Sequence, residues 1–152
     1  MSDQNRDYGI KLHALLERAR DGVVAEMTIK ELLRNEDAET RDALSNHARA
    51  ILREPQLERF FDARFYRAAH SEVSVINGDG ELLRLDRIVE FDDSVWVLDY
   101  KSAASKAVRA SAFMAEYRMQ LLGYRRALEN VYPDKALHCG LIFGDGVLEE
   151  IA

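Results

Sequence analysis

Over the first sixty positions apolar residues recur at helical spacing, and from Phe65 onward they alternate with polar ones. Leu12, Leu15, Leu16 and Ala19 lie three and four apart after Tyr8-Gly9, which predicts a helix with one buried stripe. A second helix is expected over residues 24–34 and a third over about 38–53, where Pro55 stops it. Residues 56–61 read as a short turn. Val73 and Val75 then mark a strand that ends at Asn77-Gly78-Asp79-Gly80, a strong turn signal. Residues 82–91 predict a second strand, Asp92-Asp93 a tight turn, and residues 94–101 a third strand. A long helix over about 112–131, closed by Pro133, precedes two last strands, 137–143 and 147–151, around Gly144-Asp145-Gly146. This order predicts an α+β fold: N-terminal helices, then a mixed central sheet of about five strands with a long helix between strands 3 and 4. With 152 residues and no internal repeat or linker, one domain is expected, helical over 1–62 and with its core over 63–152.

Composition narrows the class. Hydrophobic residues at 47% and charged residues at 32% are those of an ordered globular chain. The lone Cys139 excludes an internal disulfide framework and any four-thiolate zinc or iron–sulfur site built from one chain. No apolar run approaches the roughly 20 residues of a membrane span. The first residues, MSDQNRDYG, lack the basic-then-apolar layout of a signal peptide, so a cytoplasmic protein is expected. The net charge of −6 argues at first against a phosphate-rich partner. Between residues 101 and 128, however, Lys101, Lys106, Arg109, Arg118, Arg125 and Arg126 face only Glu116. The acidic total therefore hides a basic segment.

The most informative stretch is LLRLDRIVEFDDSVWVLDYKS, residues 82–102. If Asp92-Asp93 is a two-residue loop, Phe91 faces Ser94, Ile88 faces Val97, Asp86 lies opposite Asp99 and Arg84 opposite Lys101. The strand period of two puts Asp86, Asp99 and Lys101 on one face. Two facing carboxylates repel. A divalent cation answers that repulsion, because carboxylate oxygens are the hard ligands Mg²⁺ and Mn²⁺ prefer. A lysine two residues on could orient a water and stabilise charge developing on a phosphate. On spacing alone the same residues also fit salt bridges to Arg84, Arg87 or Lys101 at a sheet end. His13, on a largely apolar helix, fits a hydrogen-bonded core histidine as well as a ligand.

Gly9 with His13-Ala14-Leu15-Leu16-Glu17, Leu85-Asp86-Arg87, Asp99-Tyr100-Lys101 and Gln120-Leu121-Leu122-Gly123-Tyr124 occur in this order. The chain thereby resembles the PD-(D/E)XK nuclease superfamily, and within it the C-terminal nuclease domain of RecB and AddA helicase–nucleases. The resemblance implies a restriction-endonuclease-like core and a Mg²⁺- or Mn²⁺-dependent DNase without an iron–sulfur cluster. Its substrate would be single-stranded DNA or DNA ends, in repair or recombination. It makes His13, Asp86 and Asp99 metal ligands, joined by the Tyr100 carbonyl, and Lys101 the catalytic lysine. Gln120 and Tyr124 would position substrate or the lysine, and Glu72 would be an accessory acid. Glu17, one turn from His13, would fix its tautomer. Lys106, Arg109, Arg118 and Arg125 would follow the DNA backbone. No Walker-type GxxxxGK[ST] is present, so the implied partner is a UvrD-like helicase, in cis or in trans, the chain being an excised domain or a free-standing relative. The alternative is a catalytically silent module of the same fold that binds DNA or a helicase.

Overall fold

The computed structural model describes residues 3–151, apart from the side chain of Arg109. Helix α1, Asp3–Glu17, buries Gly9, Leu12, Leu15 and Leu16; of the predicted stripe, Ala19 falls beyond its end and is half-buried. Helix α2 is Glu26–Leu32 and α3 is Ala38–Arg53. Asp37 caps α3 by accepting from the Thr40 amide at 2.7 Å, and so satisfies one of the amides a helix start leaves free. The predicted turn over 56–61 contains a short helix instead, α4, Glu58–Phe61. Its formation buries Leu57, Phe60 and Phe61 almost completely, and four residues are too few to show a helical period in the sequence.

The sheet follows, with β1 Ala68–Ile76, β2 Leu82–Glu90, β3 Ser94–Lys101, β4 Ala136–Phe143 and β5 Leu148–Ile151, in spatial order β1-β2-β3-β4-β5. The β3–β4 pair is parallel and the other three are antiparallel. The crossover between β3 and β4 carries α5, Ser105–Arg109, and the long helix α6, Phe113–Leu128. This is the expected α+β architecture with a mixed five-stranded sheet, and it is consistent with a restriction-endonuclease-like fold. Helix α5 lies in the stretch between the predicted third strand and the predicted long helix, to which the sequence pattern assigns no element. Helix α6 ends earlier than Pro133 would require, because the amides of both Val131 and Tyr132 turn back to the Leu128 carbonyl.

Strand β3 supports both faces of the sheet. Trp96, Leu98 and Tyr100 pack with α1, α3 and Phe60 on one side. Val95 and Val97 pack with Leu121, Tyr124 and Leu128 of α6 on the other. Burial on both faces is why its sequence reads as an almost unbroken apolar run. Asp99 and Lys101 continue the α6-facing set, which fixes where the polar end of this strand points.

Candidate active site

The hairpin register is the one read from the sequence. Phe91 bonds Ser94 across the two-residue loop at 2.8 Å, and Ile88 pairs with Val97 and Arg87 with Leu98. The ladder stops there. One step further on, the carboxyl of Asp86 takes the place of strand backbone: its Oδ2 accepts from the Tyr100 amide at 2.8 Å. The two strands thus part at the level of the two aspartates, and Asp86 and Asp99 meet through their carboxyl groups. Arg84, expected opposite Lys101, instead pairs with Glu72 of β1 at 2.6 Å, because β2 stays with β1 after leaving β3.

Strand β1 is distorted at the same level. Glu72 has φ +53°, a left-handed conformation that is unusual for a non-glycine residue and typically strained by 1–3 kcal/mol. By register Glu72 stands opposite Asp86, between the pairs Ser71–Arg87 and Val73–Leu85. Val89 packs on the α1 side of the sheet, whereas Ile88 and Leu85 both pack on the α6 side. The in–out alternation therefore slips by one residue between Leu85 and Ile88, around Asp86.

Helix α1 delivers His13 to this gap. Its ring stands edge-on to Tyr100, with centroids 5.7 Å apart, and is hydrogen bonded to the Tyr100 backbone. Burial lowers its pKa, against the opposing pull of the Asp99 charge, and this favours the neutral imidazole that a metal requires. Gly9 lets the helix approach: a Cβ there would lie 2.7 Å from Ser102 Oγ. Burial first, then the neighbouring Asp99 carboxyl, push Asp86 up to about 8. Lys101 Nζ lies 2.8 Å from Asp99 Oδ2, but not in hydrogen-bond alignment, so that buried oxygen has no aligned donor among the described residues. The Tyr100 hydroxyl is likewise buried and unbonded.

The remaining expected residues divide into two groups. Gln120 Nε2 donates to the Tyr124 hydroxyl at 2.8 Å. Burial pushes the Tyr124 phenol up to about 12, with the Asp99 and Asp86 charges adding to it, so the pair borders the carboxylates. For Glu17, expected to fix the His13 tautomer, the partner seen is an acid of β1. It shares a hydrogen bond with Glu72, and burial together with that second acid pushes it up to about 7. The α1 turn carries its side chain past His13 toward β1. Arg118 lies 3.9 Å from Glu149 of β5, and Arg125 and Glu150 both act on the Cys139 thiol. Arg118 therefore turns toward β5, and Arg125 lies near Cys139 of β4. Lys106 is exposed on α5, and the Arg109 side chain lies outside the described residues.

One contact was not read from the sequence. The Tyr117 ring lies 3.9 Å below Lys101 Nζ. Its spacing from Gln120 and Tyr124, three and seven residues along one helix, was the available signal.

Among the described residues, no three His, Cys, Asp or Glu side chains already form a metal cage. The donor chemistry nevertheless fits a hard divalent cation: two facing carboxyls, a buried carboxylate oxygen without an aligned donor, a neutral imidazole and a backbone carbonyl. No helix among the described residues is long and apolar enough to cross a membrane.

Comparison with known proteins adds one finding. The family model described as PD-(D/E)XK nuclease superfamily matches residues 1–143. No curated protein matches the chain.

Proposed function

Since the chain belongs to the PD-(D/E)XK nuclease superfamily, we propose that it is a Mg²⁺- or Mn²⁺-dependent DNase of the RecB/AddA type, hydrolysing phosphodiester bonds exonucleolytically in single-stranded DNA or at DNA ends. The carrying observation is convergence. His13 from α1, Asp86 from β2, and Asp99 and Lys101 from β3 surround one peptide unit, that of Tyr100. Residues so distant in the chain gather around buried, partly unsatisfied oxygens at a cost in stability, and that cost supports a functional reading.

In this reading His13, Asp86, Asp99 and the Tyr100 carbonyl hold the ion. A bound divalent ion supplies Lewis acidity at a phosphate oxygen and acidifies a water. The protein's own groups do the positioning. The Tyr100 amide fixes the Asp86 carboxyl, and the Tyr100 backbone orients the His13 ring. Asp99 and Tyr117 together hold the Lys101 ammonium at the rim, where it can orient the attacking water and offset charge growing on the phosphate. Gln120 and Tyr124 present polar groups on the adjoining helix face for the substrate strand. A UvrD-like helicase, in cis or in trans, would feed that strand, in the setting of DNA repair and recombination.

The test is degradation of labelled single-stranded DNA with Mg²⁺ or Mn²⁺, using Asp99→Ala and Lys101→Ala as controls. Metal-dependent loss of substrate in the wild type alone is expected. DNA binding without cleavage in all three proteins would replace this reading with that of a silent DNA-binding module.

A further inference from the structure

A cavity of about 520 Å³ opens beside the carboxylate centre rather than over it, between the end of α1 and the start of β1. Arg18, Arg20, Thr28, Tyr66, Ser71 and Arg87 line it. It meets the active centre at Glu17, which lines the cavity and bonds Glu72. Arg87 follows Asp86 directly in β2, yet its side chain goes to the opposite face. It is only 6% exposed, donates from Nε to the Phe60 carbonyl at 3.0 Å and from Nη1 to Ser71 Oγ at 3.0 Å, and lies over the Phe61 ring. Neutral acceptors thus hold this buried cation; among the described residues neither Arg87 nor Arg20 is in an ion pair. Such a charge is expensive to bury without an anion. Arg20 is held by a tight turn, paired with Val23 around Asp21 and Gly22, whose φ values are +51° and +76°. Asp21 and Glu17 are the acids on the cavity wall.

We propose that this cleft seats the sugar-phosphate backbone of single-stranded DNA immediately beside the scissile phosphate, with Arg18, Arg20 and Arg87 meeting phosphate and Tyr66 offering a face to a base. The proposal rests on the nuclease reading and names where its substrate lies. Guanidinium forks and hydroxyls suit phosphate oxygens, and one aromatic ring suffices for base stacking without sequence preference. Beyond the carboxylates and the Gln120–Tyr124 pair, the substrate path then runs along α1 and β1, not past Lys106, Arg118 and Arg125.

The full chain is tested by fluorescence anisotropy with a labelled oligothymidylate in EDTA, across a range of NaCl concentrations, and in parallel by Mn²⁺-dependent degradation. The double variant Arg18→Ala/Arg20→Ala is expected to bind about tenfold more weakly, and its salt slope to fall by about 1.4, two lost phosphate contacts at roughly 0.7 each. Arg6→Ala/Arg34→Ala removes the same charge elsewhere and is expected to bind as the wild type does. Arg87→Lys, which keeps the buried charge but loses the fork and its bonds to Phe60 and Ser71, is expected to weaken binding and to lower the melting temperature as well. Equal binding by the two double variants would overturn the cleft while leaving a cleaving wild type intact as a nuclease. Weakened binding by Arg18→Ala/Arg20→Ala in a protein that never cleaves would uphold the cleft and remove the nuclease reading. A wild type that neither binds nor cleaves removes both. Displacement by equimolar thymidine monophosphate would make the cleft a mononucleotide site and overturn the strand assignment.

Discussion

Replacing Asp86 by asparagine is expected to make the metal-free protein more stable and the enzyme inactive. The amide oxygen keeps the bond accepted from the Tyr100 amide at 2.8 Å, and the new N–H group can take over the donation to Asp99 that Asp86 makes only by taking up a proton. The size follows from linkage. Burial and then Asp99 raise Asp86 from 3.8 to about 8. At pH 7 the unfolded chain has ionised a carboxyl that the folded chain keeps protonated, across about three pH units at about 1.4 kcal/mol each. That sets a ceiling of about 4 kcal/mol, and screening on the open side of the gap brings the expected gain to about 2–4 kcal/mol. The sign is fixed by the direction of the shift. A carboxyl raised on folding imposes no penalty below the unfolded value near pH 4, a growing one between pH 4 and about 8, and a constant one above. Urea unfolding of wild type and Asp86→Asn in EDTA should therefore diverge with rising pH and converge near pH 4. Mn²⁺ should stabilise the wild type and not the variant. An Asp86→Asn protein no more stable than wild type at pH 8, or a gap that persists into acid, would refute the carboxylate-pair argument.

Tyr117→Leu removes the ring 3.9 Å from Lys101 Nζ and should lower kcat about three- to tenfold with KM little changed, the equivalent of a cation–π contact of roughly 1 kcal/mol. Tyr117→Phe should stay within about twofold, and the reverse ranking would show that the hydroxyl, not the ring, matters. Gly144→Ala would place a Cβ 2.0 Å from the Ser102 carbonyl oxygen; backbone must move, and a loss of about 2–3 kcal/mol in denaturant unfolding is expected. Cys139 is fully buried and its thiol is pushed up to about 11 by that burial. A thiol reagent should label it only at the rate of unfolding, and rapid native labelling would contradict the packing of β4 against α6.

Where the sequence was legible, a simple geometric rule operated over a short distance. The two-residue loop at Asp92-Asp93 sets the β2–β3 register, and the structure keeps it from Glu90–Val95 to Arg87–Leu98. Helix α3 begins at the residue after a capping aspartate and ends before Pro55. The positions that escaped depend on which way a face turns. The basic surplus between residues 101 and 128 is real as a count. Tertiary structure nevertheless turns Arg118 toward Glu149 of β5 and sets Arg125 near the buried Cys139 of β4, which no one-dimensional tally records. Glu17 is one turn from His13, yet it ends against Glu72, a residue 55 positions away whose left-handed backbone leaves no mark in the sequence. Gly9 belongs to a recognisable motif, but its reason, the approach of α1 to Ser102, exists only in three dimensions.

The unfavourable features of this fold are concentrated at one level of the sheet. There Glu72 holds a left-handed φ, the β2–β3 ladder ends, Asp86 faces Asp99, and two buried oxygens have no aligned partner among the described residues. Next to it, β3 and β4 pair in parallel over eight consecutive positions, Ser94–Ala136 to Lys101–Phe143, with both faces of β3 buried in apolar packing. The two aspartates are therefore mounted differently. Asp99 and Lys101 ride on the most constrained strand, whereas Asp86 rides on a strand already released from it and meets β3 through its side chain, at the Tyr100 amide and the Asp99 carboxyl. On the proposed reading, a cation drawn between the two carboxyls would need only Asp86 to adjust, and Lys101 would keep its place. Strain confined to the part of β2 released from β3 is then compatible with a stable sheet, because β3 and β4 stay paired along their whole length.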